Sequence, residues 1–524
     1  MIVKRFLFVV VFQIVVLPFS LGQVIDLNAQ LSKEQMYKDF DEFVQIIRDI
    51  NIQGDVREKV TGYNPLTFIQ QQRSKIENID SYRDFIGFLE NCLSYTMSVH
   101  AGVAENLIGI GTENIDTQIA VLFISEFQEY KKQRKLESSK NSSMGLGRTF
   151  YYSGDYYVYG TQKMIKAYSE KKDTIIVSDM RLILFDGQLL DSLFWRRIPN
   201  MLPSWIKWDY CKKKYYTDWL SISDRKILVE DFPTKKQYEL PLDSLGKNLS
   251  QLSFPDSIID KMKINREKSD DKTIKYYDSL GLLYIYMGSM NNDKGIFADS
   301  IKRIGQNKPI KKIIIDVRDN GGGSDYAWGY ILRAIIKDTI IAEPIVLAMK
   351  NNEFAWKYID IIKQDKKIQE TKLPFLDNLD VVLLPSSGIY SIQPDSNSLA
   401  FEGTIYILQN ERVYSAAQSL ITYAKQNPQL VSVGVPTGTI AGRGYGRFIF
   451  QLKESKFTFF LDATIDVTDC TTAEDVFHDR PEIEIYPTID EIIETSNYGR
   501  YLNKRGDEFL FKYDYLFKKV LEME

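Results

Sequence analysis

The strongest constraint on the fold is a repeated order of strand, short turn and helix that begins near residue 274. Four apolar runs are typical of buried strands: residues 282–287, 312–317, 404–409 and 430–435. Apolar helical patterns follow the second run at 326–336 and the third at 415–425. Repeated strand–helix units predict an α/β layer with mixed or parallel strand pairing. In such layers the ligand-binding or catalytic residues are expected at the ends of the strands.

The N-terminal half has two other patterns. Apolar residues recur at helical spacing from Ser32 to about Leu107, which predicts a helical unit. Strand-like runs then follow at 118–123 and 156–159, and later runs flank the turn signal Asp186-Gly187. These runs predict a small β-rich module. Four of the six tryptophans lie between residues 193 and 220, and packing is favoured over ligand binding for them.

The first 22 residues have the features of a secretory signal. Lys4 and Arg5 precede an apolar run that ends at Phe19, and small residues lie before Gln23. An uncleaved anchor is the alternative, but the run is shorter than the roughly 20 residues that cross a bilayer. We therefore expect cleavage before Gln23, no membrane span in the mature chain, and a secreted or periplasmic protein.

Five segments are predicted along the chain. They are a signal peptide at 1–22, a helical N-terminal unit at 23–115, a β-rich module with an insertion at 116–270, an α/β core at 271–490 and a C-terminal helical segment at 491–524.

Charge and cysteine content exclude some classes of function. The 524 residues carry 66 basic and 70 acidic side chains, so the net charge of −4 offers no basic footprint for nucleic acid. Three cysteines, Cys92, Cys211 and Cys470, are too few and too far apart for a disulfide framework or a metal knuckle, and buried thiols are expected. No cofactor or metal is predicted.

Ser415 lies where the strand at 404–409 turns into a helix. A serine at this position can be an N-cap, accepting a hydrogen bond from an amide two or three residues on, and the local sequence favours that interpretation. The same geometry also suits a nucleophile, because the amides and the positive end of the helix stabilise negative charge beside the hydroxyl. The local sequence does not separate the two.

The segment Asp316-Val-Arg-Asp-Asn320-Gly321-Gly322-Gly323 is the second candidate feature. Successive glycines after a buried strand indicate a sharp turn or backbone amides that face a ligand. Phosphate binding is disfavoured because no Gly-Lys-Ser/Thr follows. Amides that face a cleft would suit an oxyanion, and an ordinary turn is the alternative.

The chain has two histidines, so a serine that needs an imidazole base has two candidates. His100 lies in the small-residue stretch Ser98 to Gly102. His478 lies in a charged segment that is expected to be solvated.

With these residues in place, the chain resembles the C-terminal processing (tail-specific) serine peptidases, nearer their tricorn-core branch than their Ser-Lys branch. The segments that carry the resemblance are Ser98-Val-His100, the strand from Leu283, Ile315 to Gly323, Val413-Tyr-Ser415-Ala-Ala with Val433 to Gly438, and Glu474 with Arg480-Pro-Glu-Ile483. The resemblance implies an α/β core with a crotonase-like mixed sheet, a helical N-terminal unit and a PDZ-type module, for which residues 173–190 provide a degenerate match.

The resemblance also implies roles for individual residues. Ser415 would be the nucleophile, His100 its base and Glu474 the group that orients the histidine. The oxyanion donors would be the N–H of Ala416 and one from the glycine run, with Gly322 preferred and Gly321 next. In the Ser-Lys branch a lysine base would be expected between residues 435 and 446, and that segment has none, so a lysine base is disfavoured.

The resulting hypothesis is a secreted serine endopeptidase that acts on proteins or peptides. The rival hypothesis is a non-catalytic protein that holds peptides or another ligand on the same scaffold. A metal hydrolase is disfavoured because the two histidines are far apart and no His-Glu-x-x-His occurs. The oligomeric state is open.

Overall fold

A computed structural model describes residues 31–98, 100–107, 112–140, 271–362, 373–385, 391–437, 442–498 and 504–523, together with the strands between residues 148 and 241 named below. The predicted signal peptide, Cys211 and the segment 173–179 lie outside the described residues. No helix in the described part of the chain combines the length and the apolar character needed to cross a membrane.

Helices dominate the N-terminal region, as the apolar spacing predicted. The first helix starts with a capping box, in which Ser32 Oγ accepts from Gln35 N–H while Gln35 Oε1 accepts from Ser32 N–H at 3.0 Å. The elements are α1 (Lys33–Ile50), α2 (Ile52–Thr61), α3 (Pro65–Gln70), a 3₁₀ turn (Arg73–Asn78), α4 (Tyr82–Ser94), β1 (Gly102–Val103), a second 3₁₀ turn (Thr112–Asn114) and α5 (Thr117–Lys140).

Helix α5 corrects one prediction, because residues 118–123 are helical and not a strand. The buried side chains are Ala120, Phe123, Ile124 and Phe127, whose spacing of three, four and seven residues is that of one helix face. The strand interpretation used a window that ended at Phe123. Phe123, Ile124 and Phe127 join the core cluster formed by the N-terminal helices, so α5 packs with those helices.

Strands make up the described residues between 148 and 241. They are β2 (Arg148–Tyr152), β3 (Asp155–Tyr159), β4 (Met180–Phe185), β5 (Gln188–Leu189), β6 (Ile206–Asp209), β7 (Lys214–Thr217), β8 (Lys226–Asp231) and β9 (Gln237–Pro241). The order β2-β3-β4-β8-β9 forms an antiparallel sheet, with β5 paired to β4, and β6 pairs with β7. The predicted strand at 156–159 is confirmed within β3.

The region from residue 271 onward is the predicted α/β layer. In chain order its elements are β10 (Lys272–Tyr277), β11 (Leu282–Met287), α6 (Ile296–Gly305), β12 (Lys312–Asp316), α7 (Asp325–Ile335), β13 (Ile340–Ile341), β14 (Val346–Lys350), α8 (Glu353–Ile362), a 3₁₀ turn (Pro374–Leu376), β15 (Val381–Pro385), β16 (Ser391–Ile392), β17 (Ile405–Gln409), α9 (Ala416–Ala424), β18 (Leu430–Gly434), β19 (Gly444–Gln451), β20 (Thr458–Asp466), a 3₁₀ turn (Ala473–Val476), β21 (Ile483–Glu484), α10 (Ile489–Tyr498), α11 (Asp507–Lys512) and α12 (Tyr515–Leu521).

A mixed six-stranded sheet is the centre of this layer. Its order is β10-β11-β12-β17-β18-β21, and every neighbouring pair is parallel except β10 with β11. Ile313 and Ile315 pack in the core cluster that includes α7 and α9, whereas Ile314 joins the cluster that includes α11 and α12. Helices therefore cover both faces, which explains why the strands are continuous apolar runs. The turns that carry Ser415 and the glycines lie at the carboxyl ends of β17 and β12.

A second, antiparallel sheet places the N-terminal region against this layer. Strand β20 pairs with β1 and β14 along one edge and with β19 along the other. Strand β14 also pairs with β15. Phe457, Phe459 and Phe460 pack in the same cluster as Phe40 and Phe43 of α1. This packing brings the segment before β1, which carries His100, to the sheet.

Candidate active site

Ser415 occupies a strained turn between β17 and α9. Its φ of 55° and ψ of −128° lie in a region that non-glycine residues rarely adopt, at a cost of about 1–3 kcal/mol. The side chain makes no capping hydrogen bond, so the N-cap interpretation of this hydroxyl is wrong. Ser415 is half-buried, and no hydrogen bond joins its hydroxyl to a described residue. The hydroxyl is therefore available to a substrate.

The glycine run lies directly against Ser415. Gly322 has a φ of 101°, and a Cβ added there would lie 2.5 Å from the Ser415 Cβ and 3.1 Å from the Ala416 nitrogen. Only glycine fits this approach. Tyr414 N–H donates to the Asn320 carbonyl at 3.0 Å, which joins the two turns. A second link joins Asp319 and Asn410, since the Asp319 N–H donates to Asn410 Oδ1 and Asn410 Nδ2 donates to Asp319 Oδ1, both at 3.0 Å.

The predicted oxyanion donors differ in whether their N–H groups already have an acceptor. The Gly322 N–H donates to Asn320 Oδ1 at 2.8 Å, and Asn320 Nδ2 donates to the Met287 carbonyl at 2.8 Å, which sets the orientation of that amide. The Gly322 N–H is therefore already used. Within the described part of the chain, the N–H groups of Gly321 and Ala416 have no acceptor, and neither has that of Gly323. Ala416 holds the first helical position of α9, where an unpaired amide is normal and favours an anion.

His100 reaches the site because of the register of β1. Gly102 pairs with Phe460 in antiparallel order, so two residues earlier His100 lies opposite Asp462. Nδ1 of His100 lies 3.0 Å from Oδ1 of Asp462, and the imidazole ring centroid lies 5.5 Å from that of Tyr414, the residue before Ser415. The histidine and the serine turn are thus neighbours, although no hydrogen bond joins the His100 ring to Ser415 itself in the described structure.

Asp462 is the carboxylate that is bonded to this histidine, and no sequence motif pointed to it. It is 1% exposed, and its second oxygen accepts from Ser98 Oγ at 2.8 Å. Because an ionised carboxylate only accepts hydrogen bonds, Nδ1 of His100 carries the proton and Nε2 of the neutral ring has the free lone pair. The available sequence signal was a single acid within the apolar strand from Phe459 to Ile465.

The environment shifts the proton affinity of His100 in opposing directions. Burial lowers its pKa, whereas the charge of Asp462 and the hydrogen bond to it raise the pKa, and the Arg447 guanidinium lowers it. The net result is a pKa above the ordinary histidine value. The side chain is 26% exposed, so a substrate or water can still reach the ring.

Glu474, the acid predicted to orient the histidine, is not the carboxylate that is bonded to the His100 ring. It lies in the 3₁₀ turn Ala473–Val476, where its carbonyl accepts from the N–H groups of Phe477 and His478. The carboxylate bonded to the His100 ring is Asp462, which leaves no place on Nδ1 for a second acid. Strand register decided this partner, and the resemblance of the segment around Glu474 gave no information on it.

His478 is buried, whereas its charged neighbours had predicted a solvated side chain. It is 3% exposed, and its Nδ1 donates to the Thr437 carbonyl at 2.8 Å. Among the cysteines, Cys92 and Cys470 are free and buried, which confirms the prediction for these two.

This chain is similar to known peptidases in part of its sequence and in its fold. Residues 281–464 match the model of peptidase family S41. Two solved structures of CPAF have the same fold: mature CPAF is 12% identical with a TM-score of 0.50, covering 94% of this chain and 97% of its own. The complex of mature CPAF with lactacystin is 13% identical with a TM-score of 0.50, covering 94% and 99%.

A photosystem II D1 C-terminal processing protease is also similar, with 12% identity, a TM-score of 0.34 and coverage of 89% of this chain and 97% of its own. No curated protein sequence matches this chain. The matched segment contains the glycine run, the serine turn and Asp462, all at the ends or within the strands described above. Residues 281–464 thus match peptidase family S41, and this match supports a serine-type peptidase.

Proposed function

We propose that the protein is a secreted endopeptidase that cleaves peptide bonds with Ser415 as nucleophile and His100 as base. The observation that carries this proposal is the pairing of His100 with Asp462 beside the strained Ser415 turn. A serine hydroxyl is a weak nucleophile unless an adjacent base accepts its proton. Nε2 of His100 has the lone pair for that step, since Nδ1 donates to Asp462.

In the first half of the reaction, Ser415 Oγ bonds to the substrate carbonyl carbon and its proton moves to His100 Nε2. The carbonyl oxygen becomes an oxyanion, which the Ala416 N–H and an N–H of Gly321 or Gly323 stabilise. Asp462 stays ionised and balances the positive charge of the imidazolium. When the tetrahedral intermediate collapses, the C–N bond breaks and His100 gives its proton to the leaving amine.

In the second half, water replaces the amine. His100 takes a proton from the water as its oxygen attacks the acyl carbon, and the C–O bond to Ser415 breaks as that proton returns to Oγ. The products are two shorter peptides, and the enzyme is unchanged.

The wider architecture belongs to this proposal as well. We expect residues 1–22 to be removed on export and the core to be crotonase-like. The antiparallel sheet built from β2, β3, β4, β8 and β9 would be a PDZ-like module. The last two expectations follow from the family resemblance, and the mixed sheet and the separate antiparallel sheet support them.

Replacement of Ser415 by alanine tests the proposal. We expect purified Ser415→Ala to lose at least about 10³-fold of the rate at which the parent cleaves an unstructured protein such as casein. A serine-reactive fluorophosphonate should label the parent and leave Ser415→Ala unlabelled. Equal cleavage by the two proteins would overturn the assignment. A folded parent without turnover or labelling would indicate the rival function, in which the cleft only holds peptides.

A further inference from the structure

Arg447 lies in the same cross-strand row as the two groups that activate the serine. It pairs with Asp462 across β19 and β20, and the register of β1 places His100 on the opposite side of Asp462. Side chains at directly paired positions share one face of a sheet. Since neighbouring strands are about 4.8 Å apart, the backbones of Arg447 and His100 are separated by about 10 Å.

The guanidinium of Arg447 makes no hydrogen bond or ion pair with a described residue, although the charges of Asp462 and Glu105 act on it. It stacks over the Phe460 ring with its central carbon 3.7 Å from the ring centroid, and its Nε is buried without a hydrogen bond. Arg443, four residues earlier, forms ion pairs with Asp469 and Asp479. A buried donor without an acceptor is rare in folded proteins, so the unpaired state of Arg447 needs an explanation.

Asp462 does not provide that explanation. One of its oxygens accepts from His100 and the other from Ser98, and no ion pair joins Asp462 to Arg447 in the described structure. With one face of the guanidinium against Phe460, its N–H edges are left for an acceptor in the plane of the group. A planar carboxylate fits this fork with two parallel hydrogen bonds.

We propose that Arg447 forms a subsite for a substrate carboxylate close to the scissile bond. The carboxylate is either an acidic side chain or the free C-terminus of the chain being cut. An extended peptide advances about 3.3 Å per residue, and the backbones of Arg447 and His100 are about 10 Å apart, so a peptide bound at His100 would pass Arg447 within a few residues of the cut. This inference rests on the proposed peptidase function.

The test is a cleavage profile of the full chain on a library of proteome-derived peptides, measured by mass spectrometry. Parent enzyme should cut with an enrichment of Asp, Glu or a chain end at one position near the scissile bond. Arg447→Met should lower that enrichment about tenfold or more, and Arg447→Lys should keep part of it. Arg303→Met, which alters an exposed arginine on α6, is the matched control and should keep the parent profile.

Synthetic peptides then distinguish the two sources of the carboxylate. One pair exchanges Glu for Gln at the enriched position, and the other exchanges a free C-terminus for an amide. The parent should prefer the carboxylate in one of the pairs, and in Arg447→Met the ratio of kcat/KM within that pair should approach one.

A pH profile on a neutral peptide shows whether Arg447→Met is correctly folded. Arg447 lowers the pKa of His100, so its loss should move the acid limb of activity to higher pH. A shifted limb with an unchanged preference overturns the subsite, and so does an equal loss of rate on all peptides. If the parent cleaves no better than Ser415→Ala, the proposed function fails instead.

Discussion

Asp462→Asn removes one charge from the site while keeping the shape of the side chain. In the parent, both carboxylate oxygens are used, by His100 Nδ1 at 3.0 Å and by Ser98 Oγ at 2.8 Å. The asparagine can present its oxygen to Nδ1, which leaves the imidazolium without a counter-charge. If it presents its NH₂ instead, the ring proton moves to Nε2, where it blocks the atom that should accept the Ser415 proton.

The expected loss follows from the burial of this pair. Removing one partner from a buried charged pair costs about 3–5 kcal/mol. Each 1.36 kcal/mol added to a barrier slows a reaction about tenfold, so kcat should fall by about 10²–10⁴-fold. The parent should also lose activity as the pH decreases through the raised pKa of His100, because only the neutral ring accepts a proton. Asparagine does not raise that pKa, so the residual activity should extend to lower pH.

Initial rates on fluorescent casein between about pH 5 and about pH 8 would measure both effects. Asp466→Asn is the matched control, because Asp466 is buried in the same strand and accepts from the Thr468 N–H at 2.8 Å. Burial raises the pKa of Asp466 to about 6, so its charge is lost in the lower part of this pH range. Glu474→Gln tests the residue that the family resemblance favoured. Thermal unfolding of each variant would confirm that it is folded.

We expect a large loss for Asp462→Asn and changes of only a few-fold for the other two variants. An Asp462→Asn enzyme with the rate and the pH profile of the parent would refute the assigned role of Asp462. A large loss in Glu474→Gln alone would return the orienting role to Glu474.

Two further predictions concern packing around the site. Gly444→Ala would place a Cβ 2.1 Å from Asp462 Oδ2 and displace the carboxylate from His100. Steady-state kinetics should therefore show a kcat that falls about tenfold or more with little change in KM. An unchanged kcat would contradict this geometry. Asp514→Asn removes the bidentate partner of buried Arg318, at 2.7 and 2.8 Å, and should lower the free energy of unfolding by about 3 kcal/mol in urea titrations. A change below about 0.5 kcal/mol, typical of surface substitutions, would contradict the second prediction.

Local patterns predicted most elements of the α/β layer because each depends on a short stretch of sequence. The strand at 282–287 was predicted with its observed ends, and the other three core strands within one residue. Short apolar runs between turn residues are typical of strands that are covered on both faces, and the flanking turns set their ends. The helix at 117–140 was missed because its buried face appears only when the pattern is followed to Phe127.

The sequence pointed to Ser415 and the glycine run through local features, a strand that turns into a helix and three successive glycines. The scarcity of histidine left two candidate bases, and the family resemblance selected His100. The partner of His100 is 362 residues away, and pairing of β1 with β20 selects it. The use of the Gly322 N–H by Asn320 likewise depends on how the turn closes.

The sequence by itself determined the strands, the helix that starts after Ser415 and the residue types available for chemistry, because these depend on short-range spacing and steric limits. Only the tertiary structure decided which carboxylate is bonded to His100, which of the described amides beside Ser415 remain unpaired, and that the Arg447 Nε is buried without a hydrogen bond to a described residue. Those properties depend on strand register, where a shift of one residue exchanges every side chain between the two faces of a sheet.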